Sequence, residues 1–340
     1  MDLNNKNQLK ELHVPKITKT PKTTKPSKTP KLTNNFTINE KVKIANQIKQ
    51  PNFELVECEM NKLINLGPAI KSLPERSLLG NSIIDYFTFV ERLETKGKYN
   101  ANFYDFLYNI EYFKQKKFIQ TMLKFYREKK YKLNDELYNK NLYKIYKETY
   151  NICISSINIM KPLNTMEIYL NYGAQRVLNF CAGWGGSLVG ACALNLPAFY
   201  GIEINENLKP AYEKMTKYLA TKCITKMDIY FCDALNIDYT KLDYDCVFSS
   251  PPYYNKEKYS NNNYYKTKKK MNEEFYTPIF KKTFDGLKNN GYYIINICRE
   301  VYIDVLVPLL GEAHFITILK KSKKQNNYKE YVYCWHKKSI

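Results

Sequence analysis

The stretch V-L-N-F-C-A-G-W-G-G-S-L-V-G-A-C-A-L-N-L-P-A-F-Y-G-I-E, residues 177–203, decides the fold. Val177, Leu178 and Phe180 make a short apolar run of strand length. Gly183-Trp184-Gly185-Gly186 ends that run in a glycine turn. Residues 188–194 then have the length and composition of a short helix, and residues 199–204 form a second apolar strand with Glu203 near its end. Strand, tight turn, helix and strand make a βαβ unit, and a crossover of that length joins parallel strands.

The alternation continues outward from this unit. Downstream, residues 208–220 predict a helix, 227–231 a third strand, 244–248 a fourth, 272–287 a helix and 292–297 a fifth strand. Residues 301–310 predict another helix with Pro308 near its end. Residues 315–319 and 331–335 predict an antiparallel pair across a basic turn at 320–329. Upstream, residues 164–171 predict a short helix after Pro162. Residues 159–340 are therefore expected to form an α/β domain with a doubly wound, mostly parallel sheet.

Residues 36–158 predict a second, helical domain, a possible substrate-recognition module. Apolar side chains recur at helical spacing through Phe53, Val56, Met60 and Leu63, through Ile83, Phe87 and Val90, and through Phe103, Phe106, Leu107 and Ile110. Residues 133–159 predict one long helix. The aromatic stripes are expected to be core. Residues 1–35 are rich in Lys, Thr, Pro and Asn and predict a disordered basic tail. Lys16, Lys19, Lys22, Lys25, Lys28 and Lys31 recur every third position, which would line one edge of a polyproline II helix.

Lys and Arg number 53 against 33 Asp and Glu, a formal charge of +20, which favours a polyanionic partner. Nine scattered cysteines without a C-x-x-C pair, and only His13, His314 and His336, argue against a zinc site and for an intracellular, reducing compartment. The apolar region 177–202 is broken by Asn179, Ser187, Asn195 and Pro197, so no membrane span is expected.

Ligands of such sheets lie beyond the carboxyl ends of the strands. There, Asn179 opens the glycine turn, Glu203 ends the second strand, Asp233 follows the third, and Ser250-Pro251-Pro252-Tyr253 follows the fourth. A carboxylate at Glu203 can accept both hydroxyls of a ribose, and Asp233 can receive an adenine amine. The dinucleotide fingerprint G-x-G-x-x-G fails, because Leu188 falls where its last glycine would stand. The two prolines stiffen the last corner. A Ser250 hydroxyl and a Pro251 carbonyl held there can accept the hydrogens of an exocyclic amine, whose lone pair is otherwise delocalised into the ring. The Tyr253 ring offers a stacking face.

With these motifs in place, residues from about 160 to 336 resemble class I S-adenosylmethionine-dependent methyltransferases. More closely, they resemble the DNA amino-methyltransferases that modify N4 of cytosine or N6 of adenine. The resemblance implies a seven-stranded Rossmann-like sheet and S-adenosylmethionine as cofactor. It implies cofactor contacts from Asn179, Phe180, Cys181, Gly183, Gly185, Glu203, Ile204, Asp233 and Ala234, with Asn179 in place of the family's usual Asp. Lys161-Pro162 lies where a further cofactor segment precedes the glycine turn. Ser250, Pro251, Pro252 and Tyr253 match the catalytic motif, and the implied reaction is direct in-line transfer to an everted DNA base, without a covalent intermediate or metal. The insert at 254–270, with Tyr254, Lys256, Lys258, Lys266, Lys268, Lys269 and Lys270, is expected to hold the nucleic acid. RNA or protein-glutamine methylation, and a non-catalytic nucleic-acid-binding subunit with a decayed cofactor pocket, stand as alternatives.

Overall fold

The computed structural model describes residues 32–49, 51–72, 77–254, 265–319 and 329–339. Its centre is a seven-stranded sheet of order β3-β2-β1-β4-β5-β7-β6. The strands are β1 (Arg176–Asn179), β2 (Ala198–Glu203), β3 (Lys226–Phe231), β4 (Cys246–Ser249), β5 (Tyr292–Asn296), β6 (Phe315–Ile318) and β7 (Tyr331–His336). The first five are parallel to one another. β7 runs antiparallel to both β5 and β6 and lies between them. Strand order reverses between β1 and β4, which opens a crevice at their carboxyl ends. Every predicted strand forms, with ends within two residues of expectation.

Fifteen α-helical segments flank the sheet or precede it among the described residues. Those that matter below are α1 (Ile38–Ile48), α2 (Phe53–Leu66), α3 (Asn81–Leu93), α4 (Phe103–Tyr108), α5 (Ile110–Lys114), α6 (Lys117–Phe125), α7 (Asp135–Lys140), α8 (Leu142–Cys153), α9 (Pro162–Asn171), α10 (Gly186–Ala193) and α11 (Lys209–Leu219). On the other face lie α12 (Lys268–Met271), α13 (Thr277–Asp285), α14 (Arg299–Val301) and α15 (Val307–Leu310). π-helical turns at Asn272–Tyr276 and Tyr302–Leu306 join α12 to α13 and α14 to α15. Such turns insert an extra residue and swing the side chains that follow.

Each sheet face has its own core. Leu188, Val189, Tyr212, Met215 and Phe248 meet Val56, Met60, Leu63, Ile83 and Ile84, so α2 and α3 share the core of α9, α10 and α11. On the opposite face Tyr276, Phe280, Tyr293, Ile295 and Trp335 pack together. All five are buried, and each contributes roughly 1.5–3 kcal/mol by leaving water. A further aromatic core of Phe103, Tyr104, Phe106, Phe113 and Tyr150 holds α1, α4 and α8 together. The aromatic stripes of the helical segment are thus packing surfaces.

The helix expected over residues 133–159 is two helices. α7 begins at the Asn134 cap, whose side chain accepts from Leu137 N–H, and α8 begins after Asn141. α8 ends at Cys153, and residues 155–161 run without regular structure to Pro162 at the first turn of α9. Pro162 fits there because its missing N–H has no intrahelical role. The lysine ladder at 16–31, Lys256, Lys258 and most of the basic turn at 320–329 lie outside the described residues.

Candidate active site

β1 delivers Asn179 to the crevice with 3% of its surface exposed. Its Oδ1 accepts the Cys181 N–H at 3.1 Å and the Ser249 hydroxyl at 3.0 Å. The side chain therefore ties the start of the glycine turn to the end of β4. A neutral amide oxygen suffices for both bonds, and it brings no charge into a buried place.

Gly183 and Gly185 have φ of +60° and +89°, where side chains other than glycine's are strained. A Cβ on Gly183 would meet only the Cys181 carbonyl, at 3.8 Å, so that face of the turn is open. The turn is held from outside by Tyr212 on α11, whose hydroxyl donates to the Gly183 carbonyl at 3.0 Å. Gly186 is needed for room instead. A Cβ there would fall 1.8 Å from the Met160 carbonyl oxygen.

Glu203 ends β2 with 8% of its surface exposed. One carboxylate oxygen accepts the Gly183 N–H and the other the Asn205 N–H, each at 2.8 Å. Burial pushes its pKa up to about 7, against the opposing pull of the Asn205, Gly183 and Ile204 N–H groups. Asp233 caps the short turn Ala234–Asn236 by accepting the Leu235 N–H at 2.9 Å. Cys181 lies close to both acids. Burial pushes its thiol well above the ordinary range, and Glu203 and Asp233 push it the same way. Phe180 turns its ring into the core against Phe280, so only its backbone faces the crevice. Ile204 is half-buried and Ala234 buried beside the two acids.

The corner after β4 is braced by side chains that sequence reading did not single out. The first is Asn296, the last residue of β5, 2% exposed. Its Nδ2 donates to the Tyr331 carbonyl on β7 at 2.9 Å. That bond fixes the amide's orientation and aims Oδ1 at the corner. Oδ1 accepts the Ser250 hydroxyl at 3.0 Å and the Tyr253 hydroxyl at 3.3 Å. The second is Tyr276, fully buried in the π-helical turn. Its hydroxyl donates to the Pro252 carbonyl and accepts the Tyr254 N–H, the latter at 2.9 Å. Register was the available signal for Asn296. Ser249 is paired with Ile295, so the residues that follow them, Ser250 and Asn296, stand side by side.

Tyr254, expected in a nucleic-acid groove, turns inward. It is 9% exposed, with its ring edge-on to Tyr276 at 5.7 Å, because the corner's left-handed backbone at φ +51° directs it there. Lys268 lies 4.8 Å over the Tyr254 ring and pairs with Glu300 at 2.6 Å. Lys269 and Lys270 stand 3.8 and 3.7 Å from Glu273 and Glu274, and Lys266 is exposed. Among the described residues no group of three or more His, Cys, Asp or Glu is placed to hold a metal ion. None of their helices is long and apolar enough to cross a membrane.

A sheet of this order, with a glycine turn after β1, an acid ending β2 and a Pro-Pro corner after β4, is the arrangement of the class I S-adenosylmethionine-dependent methyltransferases. Residues 174–339 match the family model described as RNA cap guanine-N2 methyltransferase. That description names RNA and guanine, where DNA and cytosine or adenine were expected. Similar solved structures include TrmN from Thermus thermophilus, at 14% identity over 52% of this chain and 48% of that one, with a TM-score of 0.40. This chain thus spans about half of TrmN. An rRNA methylase from Streptococcus thermophilus matches at 15% identity over 54% of this chain and 100% of that one, with a TM-score of 0.35. A tRNA m1G37 methyltransferase from M. jannaschii matches at 14% identity over 55% and 53%, with a TM-score of 0.36. No curated protein matches the chain.

Proposed function

We propose that the chain methylates the exocyclic N2 amine of a guanine in RNA, at a 5′ cap. The observation that carries this reading is the state of the Ser250 hydroxyl. Its proton is committed to Asn296 Oδ1, and Asn296 is oriented by Tyr331. The Ser250 oxygen is therefore left with lone pairs to offer, as an acceptor for an N–H. The Pro251 carbonyl is the second acceptor. Guanine N2 carries two hydrogens and a lone pair delocalised into the ring. Acceptors on those hydrogens favour the pyramidal amine, whose lone pair is available for bond formation. Tyr253, tethered through its hydroxyl, sets its ring as a face for the base. The matched family description supports guanine N2 and RNA, and the charge of +20 suits a polyanion.

The cofactor fits the residues present. The open face of Gly183 admits a ligand against the backbone of residues 180–185. The Glu203 carboxylate keeps lone-pair capacity for ribose hydroxyls, and Asp233 with Ala234 flanks the next position. When bound, S-adenosylmethionine supplies an electrophilic methyl group. The protein's own contribution is to position the amine and polarise it through fixed acceptors. Cys181, held as a neutral thiol, has no nucleophilic part.

The test is incubation with S-adenosylmethionine and capped RNA, uncapped RNA or DNA, followed by nucleoside mass spectrometry. N2-methylguanosine from capped RNA is expected. Methylcytosine or methyladenine from DNA, with capped RNA unchanged, would overturn the proposal. In Asn296→Leu the Ser250 proton loses its acceptor, and kcat should fall by about 10²-fold while cofactor affinity holds within about twofold. Equal losses of both would contradict the assignment.

A further inference from the structure

We infer a second nucleic-acid contact, a groove between α1 and α8 that takes the phosphates of an RNA strand. This rests on the reading of RNA as substrate and extends it to a surface of the helical segment. α1 packs against α8 and α3. Between α1 and α8 lies an open cavity of about 520 Å³ lined by Lys43, Asn46, Gln47, Ile48 and Lys144. None of the five is acidic. Neither Lys43 nor Lys144 forms an ion pair with a described residue, whereas Lys41, Lys114, Lys124 and Lys130 on neighbouring segments pair with Glu94, Glu111, Glu128 and Glu148. Glu40, the acid nearest Lys43 on α1, is turned back to its own helix cap at Thr37.

The residues next along the chain from this lining add a separate observation. Lys49 follows Ile48, and Lys147 lies three residues along α8 from Lys144. Lys49 and Arg92 both pair with one buried carboxylate, Asp85. Lys147 is turned inward over Phe103 and Tyr150, with its ammonium hydrogen-bonded to Asn151 at 2.8 Å. Burial, with the nearby Arg92 and Lys49 acting the same way, lowers the Lys147 pKa to about 7. Glu91 nearby is itself pushed towards its neutral form by burial. Lys49 and Arg92 thus share one carboxylate, and Lys147 pairs with no described acid, on the same helices whose Ile48 and Lys144 line the cavity. An anion in the cavity offsets that excess. Asn46 and Gln47 supply amide donors at the same rim, as a phosphodiester oxygen requires.

The chain binds a fluorescent, uncapped RNA about 20 nucleotides long, and its affinity is followed against salt by anisotropy. In Lys43→Gln/Lys144→Gln the log–log salt slope should shrink by about 1.4, or roughly 25-fold weaker binding at 0.1 M salt. The same lysines replaced by Arg should restore the slope. An unchanged slope with affinity within about twofold would overturn the groove. So would a larger loss for DNA of the same sequence than for RNA. Because the probe has no cap and no methyl transfer is read, this result is independent of the guanine-N2 assignment. A chain that methylates no capped RNA but loses slope on substitution refutes the assignment and keeps the groove.

Discussion

Replacing Glu203 by Gln isolates the electrostatics of the buried carboxyl in the crevice. Burial raises the carboxyl from 4.5 to about 7. Between these values the folded chain holds a proton that the unfolded chain has released. Stability from this group is therefore fully present below pH 4.5 and is lost as pH rises towards 7. The displacement corresponds to about 3 kcal/mol. Gln has no proton to lose, but its amide nitrogen must face one of the two N–H donors at Gly183 and Asn205. That mismatch costs about 1–3 kcal/mol at every pH. The stability of Glu203→Gln minus that of the wild type should therefore climb by about 3 kcal/mol between pH 4.5 and 8, whatever its starting value. Urea unfolding at a series of pH values reads this difference. A flat difference across the range refutes the buried, proton-binding state. The same carboxyl should link cofactor binding to pH. Ribose hydroxyls favour the ionised form, so affinity should rise by about 10²-fold from pH 5 to 7 and level off above.

Gly186→Ala should destabilise the chain by at least about 3 kcal/mol, because the new methyl collides with the Met160 backbone rather than with a yielding side chain. Thermal melting checks this, and an unchanged midpoint would show that the strand of chain at 160 moves freely. Cys181→Ala should keep kcat within about tenfold, since a thiol held neutral by burial contributes no covalent step. Abolished transfer with cofactor affinity intact would argue for a thiolate intermediate.

The parallel part of the sheet was legible because residues 177–297 alternate short apolar runs with turn signals, and buried strands leave little else to read. The division at Asn141 was not, because no glycine or proline marks it and Leu142 continues the apolar period. Tyr254 read as part of a nucleic-acid groove because it opens an insert of mixed tyrosines and lysines. Its inward turn depends on Tyr276, more than twenty residues away. Asn296 carried no local signal at all. A lone asparagine ending a strand becomes informative only when pairing between β4 and β5 sets it beside Ser250.

The place of β7 has a consequence for when the protein becomes competent. Synthesis delivers β6 first, yet β6 has no partner of its own in the sheet until β7 arrives to lie between it and β5. Until then the amide of Asn296 has no Tyr331 carbonyl to orient it, and Ser250 has no fixed acceptor for its proton. The corner proposed to hold the amine is thus braced only once β7 has been made, and a nascent chain that already carries Ser250, Pro251, Pro252 and Tyr253 still lacks that brace.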